Sequence, residues 1–194
     1  MKLSPDLAWA TPKAWTNAVL NDFNSFLQDH ADCERKASAM AMSFVAKCPD
    51  KLKIIPRLID TALEELEHFK SVYSIMIERG VTLKAEMPQD QYVQQLIARC
   101  RTPKDQRLID RMLIASIIEC RGAERFRMLS DALEDLSLKK FYKMLWTSEA
   151  KHGNIFIEMA LDCFPEKEIN KRVIELVDAE AEICSRLPFR AAMH

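Results

Sequence analysis

The chain has 194 residues, 48% of them apolar and 29% charged, with a formal net charge of -1. That length allows one sizeable buried core and does not require a second, so a single domain over residues 1–194 is expected. The near-neutral charge excludes a general polyanion binder, so any nucleic-acid contact must come from a local basic patch. Three glycines against ten methionines point to long helices, because hairpin turns and strand bulges consume glycine.

Cys33, Cys48, Cys100, Cys120, Cys163 and Cys184 have neither Cys-x-x-Cys nor zinc-knuckle spacing. The opening MKLSPDLAWATPK contains no signal-peptide apolar run, so the thiols read as reduced and the location as cytoplasmic. No apolar run approaches the ~18–20 residues needed to span a membrane.

In chain order, Thr11 and Pro12 offer an N-cap followed by proline at the first helical position, and the segment they open runs to about Cys48, before Pro49. A second segment restarts at Asp50 and ends at Gly80, a suitable left-handed terminus, with a kink or a late start expected at Pro56. Residues 81–102 are less regular, with a short helix around Asp90–Cys100. Thr102 and Pro103 repeat the Thr-Pro start of a third segment, which ends near Asp135. Leu136 and Ser137 open a fourth segment to about Cys163, and Pro165 opens a fifth to about Arg186, leaving a tail after Pro188. The joins between segments one and two, and between three and four, are short and make two antiparallel hairpins. The longer 81–102 link makes a crossover. The expected fold class is all-α, a four-helix bundle with one crossover plus additional helices.

Polar residues interrupt the apolar stripes of all four long segments. The first stripe is Val19, Phe23, Phe26, His30, Glu34, Ala37, Ala41, Phe44, and the second is Leu58, Ala62, Glu65, Phe69, Val72, Met76, with His68 beside Glu65. The third is Met112, Ala115, Glu119, Gly122, Phe126, Leu129, Leu133, and the fourth is Leu145, Glu149, His152, Phe156, Met159. Each segment thus carries one core glutamate. The second (within EELEHF) and the fourth (within SEAKH) add a histidine three residues later.

Four uncompensated buried carboxylates would cost several kcal/mol each, more than a marginally stable domain tolerates. They must be protonated, paired with basic residues, or bound to a cation. Basic residues are absent from these stripes. Two divalent ions balance four carboxylates, and mixed oxygen and nitrogen donors favour iron or manganese over structural zinc. One glutamate from each of two helices and Glu-x-x-His from each of two others is the ligand pattern of ferritin-like dinuclear sites. A lone Glu-x-x-His is weak, being usually a solvated face; the doubled motif on core stripes is specific.

The remaining polar positions are less informative. His30, one turn before Glu34, reads equally as a partner of that glutamate or as a satisfied core histidine. Glu124 lies about 140° around the helix from Glu119, beside Arg121, Arg127 and Met128, which suits a salt bridge on another face. Trp9, Trp15, Trp146 and the methionines read as packing. Arg99, Arg101, Lys104, Arg107 and Arg111 cluster near the crossover, followed by Arg121, Arg125 and Arg127, then Lys139, Lys140 and Lys143. Such runs are commonly solvated faces and equally suit a phosphate backbone.

The blocks DHADCERKA around Glu34, ALEELEHF around Glu65 and His68, IIECRGAERF around Glu119 and WTSEAKHGNIF around Glu149 and His152 resemble the bacterial tRNA hydroxylases that act on 2-methylthio-N6-isopentenyladenosine beside the anticodon. The resemblance extends from about Leu3 to Pro188. It implies a ferritin-like non-haem di-iron monooxygenase with two iron ions on Glu34, Glu65, His68, Glu119, Glu149 and His152. It also implies a tRNA substrate, dioxygen, and electrons from an unidentified reductase. RNA contacts are expected among Arg99, Arg101, Lys104, Arg107, Arg111, Arg121 and Arg125. A rubrerythrin-like peroxidase or ferroxidase is the alternative, disfavoured by the lack of a rubredoxin-type cysteine site. A helical RNA-binding protein without catalysis would leave the six core ligands unexplained.

Overall fold

The structure is a computed structural model that describes residues 4–194. Seven helices are present among these residues: α1 (Lys13–Asn21), α2 (Phe23–Lys47), α3 (Ile55–Glu78), α4 (Gln91–Ile97), α5 (Lys104–Ala132), α6 (Leu136–Cys163) and α7 (Glu166–Arg186). They form two compact units. One comprises the chain up to Thr16 with 90–188 and His194, and the other comprises 17–89 with 189–193.

The unit of residues 17–89 is built on an α2–α3 hairpin. Ser38 Oγ donates to the carbonyl of Ala62 at 2.8 Å, and Gln28 Nε2 to that of Thr82 at 2.7 Å, so the two chains run antiparallel. The single long helix expected from Pro12 to Cys48 is broken at Asp22. There the backbone leaves helical geometry (φ -142°, ψ 65°), and the carboxylate accepts from Ser25 N at 3.1 Å. A short acidic side chain that can satisfy an orphan N–H makes a new helix start as stable as continuation. Pro56 resolves to a late start, within the first two positions of α3, where its missing N–H costs nothing. Gly80 ends α3 at φ 67°, a conformation that side chains with a Cβ rarely adopt.

In the other unit α5 and α6 form the second hairpin, joined through Asp135, whose carboxylate accepts from Ser137 N and Leu138 N. Ser116 Oγ donates to Gly153 O at 2.6 Å and Ser130 Oγ to Lys139 O at 3.1 Å, again an antiparallel register. At Gly153 the seam is tight: a Cβ there would lie 2.7 Å from Cys120 Sγ.

A buried ionic network joins α7, α4 and the N-terminal segment to α5. Arg121, with no exposure, donates to Glu180 through Nε (2.8 Å) and Nη2 (2.9 Å), to Trp9 O (2.8 Å), to Thr11 Oγ1 (3.1 Å) and to Glu124. Every guanidinium nitrogen is thereby engaged. Glu180 also accepts from Tyr92 Oη at 3.0 Å. Asp110, equally buried, is held by Arg101 (2.8 Å) and Arg172 (2.9 Å). Removing one partner of such a pair leaves an uncompensated charge in the core, at a cost of about 3–5 kcal/mol. Glu180→Ala should therefore lower the urea-unfolding free energy by about that amount, whereas Glu182→Ala, on the solvent side of α7, should change it by less than ~0.5 kcal/mol.

Candidate functional site

The hairpin registers decide which side chains meet. With Ser38 of α2 opposite Ala62 of α3, Glu34 comes level with Leu66, between Glu65 and His68. With Ser116 of α5 opposite Gly153 of α6, Glu119 comes level with Ala150, between Glu149 and His152. Each hairpin thus assembles one glutamate and one Glu-x-x-His on its inner face. All six side chains are buried, none more than 9% exposed.

In the first hairpin the ligand-capable atoms of Glu34, Glu65 and His68 all lie within 4.8 Å of one another. His68 Nδ1 stands 3.7 Å from Glu34 Oε2 and 3.5 Å from Glu65 Oε2. Burial by itself would hold His68 neutral, but the adjacent carboxylates of Glu34 and Glu65 override it and raise the imidazole pKa to about 10. Burial likewise opposes ionisation of Glu34, yet hydrogen bonds from His30 and His68 bring its carboxyl well below the usual range. The cluster therefore demands positive charge. In the second hairpin Glu119, Glu149 and His152 also offer atoms within 4.8 Å of one another, with His152 Nδ1 3.9 Å from Glu119 Oε2. Two carboxylates and an imidazole converging in a buried site are hard-to-borderline donors, a set that fits divalent iron or manganese. Thiolates, which structural zinc prefers, are absent from both triads.

His30, left open between two readings by sequence, is buried and its Nε2 lies 2.7 Å from Glu34 Oε1, so it is a partner of that carboxylate. Glu124 faces elsewhere. Its carboxylate accepts from Thr11 N (3.1 Å), Thr11 Oγ1 (2.6 Å) and Arg121.

The basic residues separate into two sets. Arg121 and Arg125, expected on an RNA surface, are both buried. Arg121 is consumed by the Glu180 network, and Arg125 is 4% exposed with its guanidinium 5.3 Å over the Trp15 ring. Both guanidinium groups lie beneath the surface that a phosphate backbone would touch. Arg101 is mostly covered and turned onto Asp110 and Glu168, and Arg99 pairs with Glu182 at 3.2 Å on the surface. Lys104 and Arg107 are exposed, and Arg111 is half-buried.

The sequence reading missed Glu180, Arg172 and Tyr92. A signal existed for Glu180, which falls in the α7 stripe Ile169, Leu176, Glu180, Ile183. It was not recognised because its compensating arginine lies 59 residues earlier in the chain.

Comparison with solved structures places the chain in a fold class. It matches protein 43 with aldehyde deformylating oxygenase activity from Synechococcus with a TM-score of 0.91 and 30% identity, over 97% of this chain and 94% of that one. The fold is all-α and ferritin-like, a four-helix bundle with one crossover and additional helices. The family is narrower. Residues 3–194 match the model of the family described as tRNA-(MS[2]IO[6]A)-hydroxylase (MiaE), and the chain belongs to that family. The tRNA 2-(methylsulfanyl)-N(6)-isopentenyladenosine(37) hydroxylase of Pseudomonas putida (KT2440) is 35% identical over 183 residues, covering 92% of this chain and 88% of the relative. Its namesake from Salmonella typhimurium (LT2) is 30% identical over 131 residues, 68% of this chain and 47% of that longer protein.

Glu119→Ala should remove bound iron and activity, because it deletes one of two carboxylates in its triad. Glu124→Ala should retain full iron content and lose only about 1–3 kcal/mol of stability, the cost of stranding Thr11 and part of Arg121. Metal analysis beside chemical denaturation checks both, and equal iron loss in the two variants would contradict the α5 register.

Proposed function

We propose that the chain is a tRNA-modifying non-haem di-iron monooxygenase that hydroxylates the isopentenyl side chain of 2-methylthio-N6-isopentenyladenosine next to the anticodon. The observation that carries this reading is the pair of buried Glu/Glu-x-x-His triads, one per hairpin, in a chain of the tRNA hydroxylase family. Glu34, Glu65, His68, Glu119, Glu149 and His152 would hold two iron ions. Their four carboxylates balance the charge of two divalent ions, and the two imidazoles supply the neutral donors.

Iron held there would supply activation of dioxygen, one oxygen atom going into a carbon–hydrogen bond of the substrate and the other into water. That stoichiometry consumes two electrons and two protons from outside the chain, delivered by a separate reductase. The protein's own part is to bind and to exclude water. In the α5–α6 hairpin the buried Leu145 and Phe156 lie about one turn from Glu149 and His152 on the same stripe, an apolar lining suited to an isopentenyl group. The target base lies in a loop, so unstacking it costs less than extracting a paired base. For the RNA backbone the surviving candidates are Lys104 and Arg107, with Arg99 and Arg111 beside them. Among the described residues no helix is long and apolar enough to cross a membrane. A tRNA substrate fits a cytoplasmic location.

Incubating the iron-loaded protein with a reductant, dioxygen and methylthiolated, isopentenylated tRNA should yield nucleosides that have gained one oxygen, read by mass spectrometry. His68→Ala and His152→Ala should each lose more iron affinity than the roughly 10–100-fold typical of outer partners, while the helical signal persists. Full turnover in both variants would rule out the ligand assignment. A peroxidase would instead consume peroxide and leave the nucleoside unchanged.

Binding of modified tRNA should weaken linearly with the logarithm of salt concentration. Replacing Lys104 and Arg107 by glutamine should reduce that slope by about 0.7–0.9 for each phosphate no longer neutralised, with iron content unchanged. An unaltered slope would place the RNA-binding surface on another face.

A further inference from the structure

We infer that His30 makes the two metal positions inequivalent by engaging one oxygen of Glu34 and leaving the other as that carboxylate's better donor to metal. The inference rests on the ligand assignment proposed above and adds a residue that lies outside it.

The geometry begins with helical spacing. His30 precedes Glu34 by four residues on α2, so their side chains are stacked neighbours on one face. His30 Nε2 lies 2.7 Å from Glu34 Oε1, and both residues are buried. An ionised carboxylate only accepts hydrogen bonds, so Nε2 carries the hydrogen and donates it. The imidazole is itself held in place, its ring tilted against Phe26 with centroids 5.6 Å apart. Oε1 is thus occupied by a fixed donor. Oε2, the other oxygen, is the one that faces the triad, 3.7 Å from His68 Nδ1.

At the matching position the second hairpin offers no such donor. Four residues before Glu119 on α5 stands Ala115, buried, whose methyl group cannot donate. The two hairpins match in their glutamates and histidines and differ at this position. The bond makes Oε1 the poorer metal donor of Glu34, a bias that no side chain at the matching position imposes on Glu119. A carboxylate held in one mode leaves a coordination position open, while a mobile one can close and reopen it. His30 is a positioning residue in this account and touches neither metal nor substrate.

The test is a manganese(II) titration of apo-protein, with free Mn(II) read from its paramagnetic resonance signal so that two stepwise affinities are resolved. The wild type is expected to bind about two ions. His30→Leu, similar in bulk without a donor, should weaken one step by about 10–100-fold and leave the other within about three-fold. His30→Gln, whose amide can reach Oε1, should recover most of the loss. Unchanged affinities in His30→Leu would overturn the inference and leave the ligand assignment standing. So would a loss shared equally by both steps and not rescued by glutamine. A wild-type protein that bound no metal would overturn the ligand assignment, and this inference with it. Should His30→Leu fail to fold, His30→Met set against His30→Gln makes the same comparison.

Discussion

A carboxylate cannot lie in a helical core without positive charge beside it, and this constraint governs both the architecture and the chemistry of the chain. Every buried acid must be answered, and the fold answers in two ways. Glu180 and Asp110 are met by arginines, Arg121 for the first and Arg101 with Arg172 for the second. Glu34 and Glu65 are met by His68, whose Nδ1 stands 3.7 Å from the first and 3.5 Å from the second. The arginine-answered acids bind α7 and the N-terminal segment to α5. The histidine-answered ones lie on the inner faces of the hairpins. One electrostatic rule therefore separates the acids that fasten the protein from those available to a cation.

The two hairpins reach the same arrangement by different means. In α2–α3 the register is fixed by Ser38 against Ala62 and by Gln28 against Thr82. In α5–α6 it is fixed by Ser116 against Gly153, where a Cβ would meet Cys120 Sγ at 2.7 Å. In both cases the glutamate of one helix falls level with the midpoint of Glu-x-x-His on its neighbour. A slip of one residue rotates a helical side chain by about 100°, enough to take a ligand out of the cluster. The small polar residues at the seams thus matter as much to the site as the ligands themselves.

Charge on the outside is organised by the same accounting. Of the seven basic residues read from sequence as RNA contacts, two are internal and one is largely turned inward. Clustering of arginines along a helix reports that cations are present, and it does not report which way they point. Arg107 and Arg125 are about five full turns apart on α5 and so share a helical face; what separates them is that Trp15 covers Arg125 while Arg107 remains outside.

Much of this was local enough to be read from the sequence. Helix starts and ends follow from residues that act within one turn: Pro56, Gly80, Pro103, Asp135 and Pro165. The six candidate ligands stood out because a glutamate on an apolar stripe is an anomaly that helical periodicity alone exposes. The break at Asp22 was missed although its cause is equally local, because a capping carboxylate and a continuing helix are close in energy and the sequence does not say which wins. What tertiary structure alone decided is the pairing of distant residues. Arg121 meets Glu180 across 59 positions, Asp110 meets Arg172 across 62, and His30 is distinguished from a packing histidine by a bond of 2.7 Å. Periodicity assigns a residue to a face, but a buried charge is defined by its partner, and partners come together only when the helices pack.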